Sequence, residues 1–212
     1  MYENNIVDYL KPMLMDVSKK RLTDKIVSET LIELLKIVDN LLKYVSEFVK
    51  KALQAKKSNT PVDSIANQAE KLLHSNKPLV VTCSFLISLL VNEDADLNDL
   101  SCKILWIIMQ LFGSECKDLV NQENINIMLA SILNSNSKRQ KILLRIVKRL
   151  ITSDKQNLEV FKAVGQSFIE SMKVLKNNAN AEANVGLSSM IDEILKLAWI
   201  EREREKEMFN LF

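Results

Sequence analysis

Apolar side chains recur along this chain at steps of three and four residues, the period of one face of an α-helix. Between Leu22 and Lys57 the recurring positions include Leu31, Leu34, Leu35, Val38, Leu42 and Val45. One rod over that stretch is long for a globular domain, so the pattern predicts a break at Ser28–Thr30, with Ser28 as a cap; a single extended helix is the alternative. Residues 3–15 form a short helix that Pro12 should kink or close. Thr60 followed by Pro61 reads as a cap and a first turn, opening a helix to about His74. Pro78 begins an apolar helix through Val91. After an acidic loop at 92–96, a helix over Leu97–Phe112 is expected to stop at Gly113. Helices at Asn124–Leu133 and Lys138–Ile151 follow, separated by Asn134–Ser137. Ser153 or Asp154 restarts the chain through Val164, Gly165 turns a corner, and Gln166–Leu175 completes the pair. The small, polar run 177–184 reads as an exposed loop, and 187–209 as the terminal helix. No stretch alternates like a strand. The expectation is a single all-helical domain over 1–212.

The chain also repeats itself weakly. Lys103–Phe112 (KILWIIMQLF) lies over Lys141–Leu150 (KILLRIVKRL) at an offset of 38 residues. Ile104 falls on Ile142, Leu105 on Leu143 and Ile108 on Ile146, and each block is followed by a break and a shorter apolar helix. Stacked helical repeats have this logic, because each unit hides its stripe only against a neighbour. The segment from Asn124 to Leu175 reads as a helix, a serine/asparagine turn, a long helix, a short helix ending at Gly165, and another helix. It resembles an armadillo-type unit, with HEAT repeats a close alternative, and the repeat-like region covers roughly 78–175. The resemblance implies a right-handed stack of helices used for protein binding; an irregular helical bundle is the competing architecture. Importin-like armadillo proteins carry a tryptophan and an asparagine one turn apart on the long helix. Here Trp106 and Gln110 have that spacing, but the next block has Leu144 and Lys148, so no ladder for an extended basic peptide is implied.

Composition narrows the function classes. The 212 residues are 47% hydrophobic and 26% charged, with three prolines and three glycines, which excludes a disordered or collagen-like chain. With 29 basic and 27 acidic side chains, bulk charge names no partner. The odd set Cys83, Cys102 and Cys116, two of them in apolar helical patterns, favours reduced thiols and an intracellular, cytoplasmic or nuclear setting. The longest uncharged apolar run, 78–92, would be about 22 Å long as a helix, short of the roughly 30 Å hydrocarbon core. No membrane span is therefore expected, and the start of the chain does not read as a signal peptide.

Catalytic chemistry finds no set of residues. There is no C-x-x-C, and the single His74 supplies no metal cluster. Glu93, Asp94, Asp96 and Asp99 match no calcium loop, and Asp96, Asn98 or Asp99 is better read as a helix cap. Isolated glycines cannot cradle phosphate, and no nucleophile motif occurs. The expectation is no enzyme, no cofactor and no metal.

The basic run is the sharpest surface feature. Lys138, Arg139, Lys141, Arg145, Lys148 and Arg149 crowd one helix with no acid between them. Lys138, Lys141, Arg145 and Lys148 read as one stripe, which either is a solvated face or meets an acidic peptide or protein; nucleic acid is disfavoured because no nucleic-acid motif accompanies it. Lys103, Trp106 and Gln110 share a face of the preceding long helix and form either a binding groove beside the stripe or, for Trp106, core. Trp199, Phe209, Leu211 and Phe212 are a possible second contact or an end-cap, with homodimerisation as the corresponding reading. The expected role is a noncatalytic scaffold or adaptor that binds an acidic or amphipathic partner segment.

Overall fold

The computed structural model describes residues 5–20, 22, 24–57, 63–116, 119–182 and 184–209. No strand occurs among the described residues, so the fold is all-α. The chain forms two compact units, Met1–Glu115 and Cys116–Phe212, where the sequence led us to expect one domain. The division passes through the repeat-like region 78–175 and separates its two aligned blocks.

In the first unit, α1 (Ile6–Ser18) is capped by Asn5, whose side chain accepts from the Val7 N–H at 3.2 Å. The same side chain donates to the Ser75 carbonyl at 2.7 Å. Pro12 does not end this helix. Val7, Leu10, Leu14 and Val17 anchor turns on both sides of it in the core, while Pro12 and Asp8, whose carbonyl loses its donor, are exposed. The next helix, α2 (Lys25–Lys57), is one continuous rod of 33 residues; the expected break at Ser28–Thr30 is absent. Thr30 satisfies its hydroxyl inside the helix by donating to the Ile26 carbonyl at 2.7 Å, and the buried row from Leu31 to Val45 holds the rod to the core. Outside that row, Lys36 donates to Glu33 at 2.8 Å. That bond and the Glu33 charge, helped by Asp96, hold the lysine above its ordinary range. A raised lysine contributes its stabilisation at neutral and acid pH and loses it only as the pH climbs into the alkaline range through the raised value.

Helix α3 (Asp63–Asn76) buries Ala69, half-buries Leu72 and Leu73, and leaves Ile65 exposed. The expected start at Thr60–Pro61 lies outside the described residues. The run from Pro78 is not one α-helix. A 3-10 turn (Lys77–Thr82), the short α4 (Cys83–Ser88) and a second 3-10 turn (Leu89–Val91) replace it. Thr82 and Ser88 each donate back three residues, to Leu79 and Phe85, both at 2.7 Å, which suits the tighter winding. The helical stretch Ser64–Val91 is long and apolar enough by length and composition to cross a membrane, longer than the run picked from sequence, and 44% of its apolar window is buried.

Helix α5 (Ala95–Phe112) is capped by Asp94, not by the residues expected from sequence; its carboxylate accepts from the Asp96 and Leu97 N–H groups. Asn98 instead donates to the Asn92 carbonyl at 2.6 Å, pinning the loop. The helix packs on α2 and α4 and is buried at Ile104, Leu105, Ile108, Met109 and Phe112. Gly113 is not a left-handed stop: its φ is −53°, and it opens a 3-10 turn over Gly113–Glu115.

The second unit holds α6 (Gln122–Leu133), α7 (Ser137–Ser153), α8 (Lys155–Val164), α9 (Gln166–Ala181) and α10 (Val185–Phe209). Asn121, Asn136 and Asp154 cap α6, α7 and α8 through their side chains. Helix α6 packs on α7, α8 and α9, and α10 packs on α7, α8 and α9. The shorter pair α6/α9 and the longer pair α7/α10 are thus each in contact. The loop expected at 177–184 is mostly helix. Ala179 follows Leu175 by one turn and is 1% exposed, and the Asn184 N–H closes the end on the Ala179 carbonyl at 2.8 Å.

Gly165 turns the corner between α8 and α9 at φ 60° and ψ −121°, a backbone that only glycine adopts freely. A Cβ there would stand 3.3 Å from the Lys162 carbonyl oxygen. Gly165→Ala is expected to destabilise the chain by about 1–3 kcal/mol. Urea unfolding followed by circular dichroism reads this, and an unchanged midpoint contradicts it.

Candidate protein-binding face

The basic helix α7 owes its start to Asn136, whose side chain accepts from the Arg139 N–H at 3.0 Å. Its inner side is Leu143, Leu144, Ile146, Val147, Leu150 and Ile151, all buried. Ile142 is only half-buried, although its aligned counterpart Ile104 is buried.

The cations do not form one stripe. At about 100° of turn per residue, Lys138, Arg145 and Arg149 point within roughly 20° of one direction, while Lys141 and Lys148 lie about 60–80° to one side. The structure realises this difference. Lys148 hydrogen-bonds Glu193 of α10 through its ammonium. A side chain on Gly186, also in α10, would stand 3.9 Å from the Lys141 ammonium nitrogen. Both lysines therefore lie along the α10 edge, and Lys148 already has its acid. Lys138, Arg145 and Arg149 are exposed, and among the described residues no acid pairs with them; Arg139 is half-buried. Ile142, half-buried about 40° to the other side of that direction, adjoins this outward row, and along the chain Lys138, Ile142, Arg145 and Arg149 follow at steps of four, three and four residues.

The Lys148–Glu193 pair is partly exposed, so its coupling is expected to be small, about 0.2–1 kcal/mol. A double-mutant cycle with Lys148→Ala and Glu193→Ala measures it. A coupling above roughly 2 kcal/mol would contradict the exposure that sets this expectation.

The remaining predicted positions are distributed as follows. Lys103 and Gln110 are exposed and Trp106 is half-buried on α5, in the first unit, whereas the cationic row belongs to the second. The side chains of Trp199 and Phe209, and residues 211 and 212, lie outside the described residues. His74 is exposed in the last turn of α3. The three thiols are buried and none is in a disulfide. No group of three metal-ligating side chains occurs among the described residues. An open depression of about 950 Å³ in the first unit is lined by charges of both signs, Lys25 and Glu29 with Glu93 and Asp94. Part of its polar lining is internally satisfied, by the Lys25–Glu29 pair at 3.7 Å and by Ser28 donating to Asp94 at 3.4 Å.

The chain is similar to part of serine/threonine-protein kinase ULK4 of Mus musculus. The two are 36% identical over 184 residues, which covers 82% of this chain but 14% of ULK4. No family model matches the sequence, and no solved structure matches it. Protein kinases need a glycine-rich phosphate loop, an H-R-D catalytic loop and a D-F-G metal site. None of these stands in the 212 residues: the glycines are Gly113, Gly165 and Gly186, and the one histidine is followed by Ser75. The part of ULK4 that this chain resembles therefore aligns with a sequence that lacks kinase motifs.

The sequence reading missed Glu193 and the half-buried Ile142. A separation of 45 residues between Lys148 and Glu193 leaves no periodic signal. At about 100° per residue Ile142 stands roughly 20° from Arg149 and about 40° from Lys138, at the rim of the outward face, which is where a half-buried side chain falls.

Proposed function

We propose that this chain is a noncatalytic protein-binding module, an armadillo/HEAT-like helical stack that takes an acidic or amphipathic partner segment on the outward side of α7. The observation that carries the reading is the row of Lys138, Arg145 and Arg149, exposed and, among the described residues, without an acid of their own beside a lysine that has one. Like charges in a row repel, and an acidic partner relieves the repulsion, with an affinity that falls as salt rises. The side-by-side packing of α7 with α10 and of α6 with α9 supports the stacked architecture. Catalysis by this chain is no part of the proposal, and phosphate transfer stays with ULK4 as its name gives it. The buried thiols support an intracellular setting.

The test is fluorescence anisotropy of a labelled glutamate-rich peptide titrated with the full chain at low and at physiological salt. Saturable binding that weakens with salt is expected. No binding at low salt overturns the reading.

A second reading, self-association, is favoured by Ile6, Tyr9 and Met13, which line the exposed side of α1 at steps of three and four residues. Light scattering separates the two: a concentration-dependent dimer supports self-association, and a monomer that binds the peptide rejects it.

A further inference from the structure

The outward row of α7 carries more information than its charge. It holds one apolar side chain, Ile142, half-buried between Lys138 on one side and Arg145 and Arg149 on the other. Along the helix axis the steps from Lys138 to Ile142, Arg145 and Arg149 are about 6, 4.5 and 6 Å at a rise of ~1.5 Å per residue. A partner helix laid alongside presents side chains at the same steps, so its register holds along the whole row. An extended segment presents one side chain per face roughly every 6.8 Å, and over three such steps it drifts about 4 Å out of register. The row therefore discriminates between partner conformations as well as between charges.

From this we infer that the partner segment is an acidic amphipathic α-helix, docked antiparallel to α7, with carboxylates opposite Arg149, Arg145 and Lys138 and an apolar side chain opposite Ile142. The inference rests on the protein-binding reading above. Opposed dipoles favour the antiparallel direction. Reading α7 backwards fixes the partner pattern as Glu-x-x-x-Glu-x-x-Leu-x-x-x-Glu. Ile142 gives the apolar contact that sets register, and the three cations surround it, as a polar rim surrounds the anchor of an interface.

Four probes of matched net charge and length test this by anisotropy against the full chain: a helical peptide with the stated pattern, the same peptide with two internal prolines, a scrambled helical peptide, and a glutamate-rich flexible peptide. The patterned helix is expected to bind at least tenfold more tightly than the other three. The variant Ile142→Ser, checked for unchanged helicity, should remove most of that preference while sparing the weak binding of the flexible peptide. Equal binding of the proline-interrupted peptide overturns the helical partner and leaves an acidic-segment module standing. Failure of every peptide to bind overturns the underlying reading as well. Tighter binding of vesicles containing phosphatidylserine, or competition by millimolar inorganic phosphate stronger than that of equal ionic strength in chloride, overturns the helix in favour of a lipid or phosphate ligand.

Discussion

Reversing both outward arginines of α7, Arg145→Glu together with Arg149→Glu, is expected to weaken binding of an acidic peptide roughly 5- to 150-fold while the helical signal stays unchanged. Each exposed ion pair contributes about 0.2–1 kcal/mol, and reversal replaces an attraction by a repulsion of similar size. Two sites together then weaken binding by about 1–3 kcal/mol, which is roughly 5- to 150-fold in affinity. The loss should be largest at low ionic strength and shrink as salt screens the remaining charge. Lys148→Glu is a different experiment. Its ammonium is already bonded to Glu193, so that variant places two acids together across α7 and α10 and acts on the fold before it acts on a partner. Binding of the double arginine variant equal to that of the parent chain, at low salt, contradicts the assignment of this face.

The second large effect lies in the core of the second unit. Phe161 and Phe168 flank the Gly165 corner, are almost wholly buried, and meet edge to face with centroids 5.5 Å apart. Truncating one removes its own burial, leaves a cavity and breaks the ring pair. Phe168→Ala is therefore expected to cost about 3–5 kcal/mol, a large part of the 5–15 kcal/mol that holds a typical domain. Phe168→Leu keeps most of the volume and should cost far less. Urea unfolding of both variants is the measurement, and a Phe168→Ala loss below about 1 kcal/mol contradicts the packing at this corner.

The difference between what could be read along the chain and what could not follows from the range of each interaction. Caps and corners are local. Asp154 and Gly165 were legible because a carboxylate that accepts from N–H groups two residues on, or a glycine at positive φ, needs no distant partner. Inner stripes were legible because their period is local too. Errors arose where tertiary packing outvoted a local signal. Pro12 stays inside α1 because Leu10 and Leu14 are both anchored, and α2 stays whole because its buried row continues past Thr30. The run 177–184 looked too small to pack, yet Ala179 is buried one turn beyond Leu175 on the inner face of α9. At the candidate face, the basic run was legible as composition. Its division into an edge lysine bonded to α10 and an outward row was not, because Glu193 lies 45 residues away. Trp106 belongs to the first unit and the cationic row to the second, a division that helical periodicity does not encode.

The central claim is that the outward row of α7 receives an acidic partner. Backbone-amide chemical shifts of the isotopically labelled full chain, recorded as the patterned glutamate peptide is added, test it most directly. The account predicts that the perturbed amides cluster around Lys138, Ile142, Arg145 and Arg149. Shifts gathered instead on α1 around Tyr9, or absent at saturating peptide, would contradict it.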